Sequence, residues 1–173
     1  SKFFPHGFTN MKNLAESYGS SLGLWLSPLG GYDSAKEERL KYGRLQTPPF
    51  ETNENGFSLS GPVYFKRFEK VTTDFILKDR VSIFKFDGVG TGNGAGGAGL
   101  KYQKDIEALL LLTQKLRSIE PDLYLSLTVG TWPSVYWLYY GDAIWRAGDD
   151  FGFAGNGSKR QQWITYRDAE SYK

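Results

Sequence analysis

The chain has 173 residues, 40% of them hydrophobic, and its 21 basic and 19 acidic residues leave a formal net charge of +2. That is enough for one core in one domain, with no electrostatic footprint for nucleic acid or anionic lipid and no apolar run of the roughly 20 residues that a membrane helix needs. Cysteine is absent, which removes disulfides and thiolate metal sites without fixing a compartment, and the residues from Ser1 do not read as a signal peptide, so export stays open.

Taken in order, the spacing predicts a helix over 10–19, where Met11, Leu14, Ala15 and Tyr18 recur at helical intervals, with Thr9 or Asn10 as cap and Gly19 as stop. Leu22 to Leu26 reads as a short strand that breaks at Ser27-Pro28-Leu29-Gly30-Gly31. From Tyr32 to Pro62 no period is sustained, and only Lys36 to Tyr42 reads as a short helix. Loops of this length usually serve function. Phe65 to Lys78 is a helix with Phe65, Phe68, Thr72, Phe75 and Ile76 on one side, and it feeds an apolar strand, Val81 to Gly88, that ends on Lys85 and Asp87. Residues 88–99 contain Gly92-x-Gly94-x-x-Gly97, a literal match to the dinucleotide pattern. The strand before it ends in charges and no helix opens directly on it, so a loop that clears space above Asp87 is the better reading. Leu100 to Ser118 is the strongest helix, with Ile106, Leu109, Leu110, Thr113 and Leu116 inward. Leu123 to Val129 and the shorter Ala143 to Arg146 read as strands, and Arg160 to Tyr172 as partly helical.

Strands that alternate with helices and end in Gly- or Pro-rich loops predict an α/β fold with a parallel sheet, a partial TIM barrel. Such barrels collect their chemistry at the C-terminal strand ends, which would make neighbours of Trp25, Lys85, Asp87, Trp132, Arg146, Asp149 and Asp150. Lys85 and Asp87, two apart in a strand, point to one face. A pair that merely satisfies itself at a barrel rim is the plain alternative, as a solvated acidic turn is for Asp149-Asp150. Two carboxylates facing one pocket are the minimum for glycoside hydrolysis. Lys85 favours an ionised, nucleophilic Asp87, and the charge of Asp149 favours a proton-holding Asp150. The chain is also rich in rings, with 5 Trp, 11 Tyr and 12 Phe. Most such rings fill cores, but some stack on sugar faces.

Four segments carry a resemblance. Phe4-Pro5-His6-Gly7 with the Met11 helix and Leu22-Gly23-Leu24-Trp25 resembles the approach to the third barrel strand of clan D glycoside hydrolases, the family 27 and 36 α-galactosidases. Lys85-Phe86-Asp87 is similar to their Lys-x-Asp nucleophile motif on the fourth strand. Thr131-Trp132-Pro133-Ser134 resembles the recognition loop after the fifth, and Arg146-Ala147-Gly148-Asp149-Asp150 the acid/base motif after the sixth. The resemblance implies a retaining hydrolase of terminal α-galactosides or α-N-acetylgalactosaminides, with Asp87 as nucleophile and Asp150 as acid/base. Lys85 and Arg146 would bind sugar hydroxyls, with Trp25, Trp132, Ser134 and Asp149 also facing the substrate. The small Thr131 and Ser134 would leave room for a 2-acetamido group.

Residues 1–173 would then be a single fragment, about strands 3 to 6, of a barrel catalytic domain. It would be inactive in isolation and partnered by the rest of the barrel or by another copy. The substrate would be an oligosaccharide or glycoconjugate, with no cofactor, and His6, the one histidine, is read as structural rather than metal-binding. The other readings are a non-catalytic carbohydrate-binding fragment, which would not need the two carboxylate motifs, and a nucleotide-binding α/β protein using residues 88–99.

Overall fold

The computed structural model describes residues 4–5, 7–88, 100–128, 134–144 and 156–171. The apolar spacing around Met11 and Leu14 gives helix α1 (Thr9–Ser17), with Phe8 at the N-cap position and no side-chain cap, so Thr9 and Asn10 lie within the first turn and cap nothing. Gly19 does stop it, in the left-handed region at φ 66°, where an L side chain would be strained. Strand β1 (Leu22–Leu26) follows, and then helix α2 (Asp33–Arg44), longer than the sequence predicts. The stretch read as loop also folds an antiparallel hairpin, β2 (Thr52–Asn53) with β3 (Gly56–Phe57).

Helix α3 (Pro62–Asp79) starts on a proline, which costs nothing where the first N–H groups lack intrahelical partners. The Glu51 carboxylate accepts two of the remaining donors, Val63 N–H at 3.1 Å and Tyr64 N–H at 2.9 Å. Strand β4 (Val81–Phe86), a 3-10 turn at Leu100–Tyr102, helix α4 (Gln103–Ile119) and strand β5 (Tyr124–Leu127) come next. A second 3-10 turn (Val135–Tyr139), strand β6 (Ala143–Ile144) and helix α5 (Lys159–Ser171) complete the described elements.

Four strands form one sheet in the order β1-β4-β5-β6, and every neighbouring pair is parallel. Spatial order follows chain order with no reversal, and α3 and α4 bury their apolar stripes on the same face. A doubly wound sheet reverses its strand order and carries helices on both faces, whereas a TIM barrel keeps chain order and puts them all outside. The sheet is therefore an arc of a parallel β/α barrel, as the sequence predicts.

The period of two decides what each face holds. Phe84 and Phe86, stacked at 5.3 Å, point with Leu125 and Leu127 to the helix side and meet Phe68 and Ile76 of α3 and Leu109, Leu112 and Leu116 of α4. Each such side chain contributes about 1.5–3 kcal/mol by leaving water. The stripe of α4 is turned from the expected one: Leu112 is buried with Leu109, Thr113 and Leu116, while Ile106 and Leu110 are half-buried. Trp25, Ile83, Lys85 and Tyr124 point to the other face and stay exposed.

Candidate active site

A bulge sets the register on the open face. Leu22 pairs with Val81 and Gly23 with Ile83, which makes Ser82 the extra residue and brings Trp25 opposite Lys85. On the far side Lys85 pairs with Ser126 and Phe86 with Leu127, so the residues one step beyond the strands, Asp87 and Thr128, also come level. Asp87 is fixed to the tip of β1 by its N–H, which donates to Leu26 O at 2.8 Å.

Three side chains from three segments converge on the Asp87 carboxylate. Trp25 Nε1–H donates to Oδ2 at 3.0 Å, and the Tyr32 hydroxyl donates to Oδ1 at 3.1 Å. Thr128 Oγ1 lies 2.9 Å from the same Oδ1 and 3.2 Å from Phe86 O. It has one hydroxyl proton, and Phe86 O already accepts Thr128 N–H at 2.9 Å, so the shorter contact to the carboxylate takes it. The Tyr32 phenol is pushed up to about 12, by burial first and then by the charge of Asp87 and the hydrogen bond to it. At neutral pH it is therefore a donor.

The loop that presents Tyr32 is pinned along its length. Gly30 N–H turns back to Ser27 O at 3.0 Å and Phe57 N–H of the hairpin donates to Leu29 O at 3.1 Å. The Tyr64 hydroxyl donates to Pro28 O at 2.7 Å and Arg39 Nη1 to Gly30 O at 2.8 Å. Gly30 and Gly31 take φ values of 99° and 96°, and a Cβ on Gly31 would sit 2.5 Å from Arg39 Nη1, so this turn requires glycine at both places. Gly88, straight after Asp87, is left-handed too at φ 85°.

Of the residues that sequence reasoning selected, Trp25, Lys85 and Asp87 stand together on the open face. Trp25 meets the carboxylate through its N–H. Lys85 is exposed beside Trp25 and makes no ion pair among the described residues, so neutral donors hold Asp87. Ser134 caps the second 3-10 turn, its Oγ accepting Tyr136 N–H at 3.3 Å. His6, Trp132, Arg146, Asp149, Asp150 and the glycine run from residue 89 to 99 lie outside the described residues. Among the described residues no cluster of His, Cys, Asp or Glu is arranged to hold a metal ion. Sequence reasoning missed Tyr32 and Thr128. Parallel register would have found Thr128, one residue past Leu127 as Asp87 is one past Phe86. Tyr32 carried no periodic signal, since a glycine turn places it.

A cleft of about 280 Å³ opens beside β1, lined by Trp25, Ser27, Arg39, Tyr42, Phe50 and Arg67 among others. Asp87 does not line it. It belongs to the packing of α2 and the hairpin against α3.

No protein-family model matches the sequence, and no characterised protein matches it. Solved structures do share the fold. An α-galactosidase from Lactobacillus brevis superposes with a TM-score of 0.61 at 13% identity, over 98% of this chain and 24% of that one. A GH36 α-galactosidase, AgaA from Geobacillus stearothermophilus, superposes in its raffinose complex with a TM-score of 0.57 at 12% identity, over 96% of this chain and 24% of that one. Its stachyose complex gives 0.57 at 11% identity, with the same two shares. The chain thus spans about a quarter of the length of these enzymes, and at such identities the likeness establishes a partial TIM-barrel fold of the kind glycosidases use.

Proposed function

We propose that this chain carries part of the active site of a retaining glycoside hydrolase acting on terminal α-galactosides or α-N-acetylgalactosaminides. The observation that carries the reading is the Asp87 carboxylate at the C-terminal end of β4, gripped by donors from β1, the loop after β1 and the end of β5. A barrel places catalytic groups at such strand tips. The solved structures that share the fold are α-galactosidases, one of them in complexes with raffinose and stachyose. On this reading Asp87 attacks the anomeric carbon while Asp150 protonates the departing oxygen, and then deprotonates the water that releases the sugar. Lys85, on the same face, binds a sugar hydroxyl together with Arg146. Trp25, Trp132, Ser134 and Asp149 line the sugar, and the small Thr131 and Ser134 leave room for an acetamido group. The rest of the barrel comes from a longer chain or from a second copy.

The test removes the nucleophile. In the intact protein Asp87→Gly should lower hydrolysis of a nitrophenyl α-galactoside by at least about 10³-fold. Azide, small enough to occupy the vacated space, should restore turnover and leave a galactosyl azide of inverted, β configuration. Substantial hydrolysis by Asp87→Gly without azide would remove Asp87 from the reaction. A wild-type protein that binds galactosides without turning them over would favour a carbohydrate-binding fragment.

A further inference from the structure

We infer that Tyr32 and Thr128 make Asp87 an asymmetric nucleophile: by filling Oδ1 they leave Oδ2 as the oxygen that bonds to the sugar, and they speed the sugar's release. The inference rests on the reading of Asp87 as nucleophile, and it concerns two positioning residues that act through it.

A carboxylate oxygen has two lone pairs. Oδ1 accepts from Tyr32 and from Thr128, whereas among the described residues Oδ2 accepts from Trp25 alone. Attack through Oδ1 would have to break a charge-assisted hydrogen bond, and attack through Oδ2 breaks none. In the first step the Oδ2–C1 bond forms as the bond from C1 to the leaving oxygen breaks, and that oxygen takes a proton from the general acid. Asp87 passes from an anion to a neutral ester whose carbonyl oxygen is Oδ1. In the second step a water oxygen bonds to C1 and gives its proton to the general base. The C1–Oδ2 bond breaks and its electron pair returns to Asp87.

Hydrogen bonds to the anion are roughly twice as strong as those to a neutral carbonyl. The two donors on Oδ1 therefore favour the free carboxylate over the ester and assist its departure. They are held ready to do so. Thr128 is fixed by its N–H to Phe86 O, and the Ser27–Tyr32 turn is tied to α2, β3 and α3, so little reorganisation is needed as charge returns. The phenol of Tyr32, raised to about 12, keeps its proton throughout.

The experiment uses Tyr32→Phe and Thr128→Val in the intact protein, both close in shape to the originals, with a dinitrophenyl α-galactoside whose leaving group makes the first step fast. Each variant should lower kcat on the order of tenfold and lower KM in parallel, so that kcat/KM stays nearly constant. A burst of one equivalent of dinitrophenol and a galactosylated chain by intact mass should accompany this. If Tyr32→Phe and Thr128→Val change kcat without a parallel change in KM, or show no burst, the inference is overturned. Azide rescue of Asp87→Gly in the same series separates the two ideas: rescue without the burst leaves Asp87 as nucleophile and removes only the role of its partners.

Discussion

The two faces of the sheet are built from the same strands and differ in what finishes them. Toward the helices Phe84, Phe86, Leu125 and Leu127 are 0% exposed, while toward the other side Trp25, Ile83 and Tyr124 keep 47%, 41% and 44% of their surface open. The covered face is a core over β4 and β5, against which Leu22, Leu24 and Leu26 of β1 are half-buried. The interior of a parallel barrel is filled by layers of side chains from all of its strands, and among the described residues four strands supply that layer. The open face also carries Lys85 and ends at Asp87, so the positions that do least for the packing of these 173 residues are those proposed above to bear chemistry.

The largest test of that difference compares neighbours on β4. In the 173-residue chain Phe84→Ala should cost about 3–5 kcal/mol by opening a cavity in the packed face, and Ile83→Ala should cost under about 1 kcal/mol, since Ile83 is still partly in water. Urea unfolding reads both. In a protein that supplies the remaining strands, the penalty at Ile83 should rise toward that at Phe84. Equal penalties in the 173-residue chain would mean that the open face is covered by another copy or by residues outside the described set.

A smaller effect is expected where the β2–β3 hairpin meets α4. The buried Asp105 carboxylate accepts from Asn53 Nδ2 at 3.0 Å, Ser58 Oγ at 2.8 Å and Ser60 N–H at 2.8 Å. Asp105→Ala removes the acceptor these three donors share, leaving Ser58 Oγ only Ser60 Oγ at 2.9 Å, and should cost about 2–3 kcal/mol. The hairpin in turn holds Leu29 O through Phe57 N–H, so the loss should reach the Tyr32 loop. Hydrogen exchange at the Phe57 and Gly30 amides should quicken in this variant, while amides of β4 and β5 hold. Unchanged exchange at Gly30 would show that Tyr64 and Arg39 pin the turn without help from the hairpin.

Periodicity explains why most elements were readable. Leu22 to Leu26 matches its strand to the residue, and Phe68, Thr72 and Ile76 mark the buried side of α3 because a helix repeats every 3.6 residues. The hairpin was not readable, since two residues per strand are too few to establish an alternation. What holds it is a polar hub, Asp105, on a helix whose sequence carries a second acid, Glu107, and nothing in its spacing singles Asp105 out. The site divides in the same way. Lys85 and Asp87 stand out as charges at the end of an apolar run, but the donors that orient Asp87 come from a glycine turn and from the neighbouring strand. Neither relation is written in local spacing. Trp25 is placed by its position near the end of a strand, and its indole N–H makes the contact with Asp87.

The smallest effect tests whether the insertion between β1 and α3 is tied by charge as well as by packing. Burial acting alone would raise the Glu51 carboxyl, but the N–H groups of Tyr64, of Glu51 itself and of Val63 outweigh it and hold the group below the usual range. A carboxyl lowered on folding contributes stability that is fully present above its unfolded value and is lost as pH falls through its folded one. Glu51→Gln keeps the shape and one weaker acceptor, and it should cost about 0.5–2 kcal/mol at neutral pH, as loss of a helix cap does. The gap between wild type and variant should close as pH falls below the ordinary glutamate range. Paired denaturant titrations along a pH series measure that gap directly. A gap independent of pH would mean that the contact works through shape alone, and the first turn of α3 would then owe its place to Tyr64 stacked on Phe57 at 4.4 Å rather than to the carboxylate.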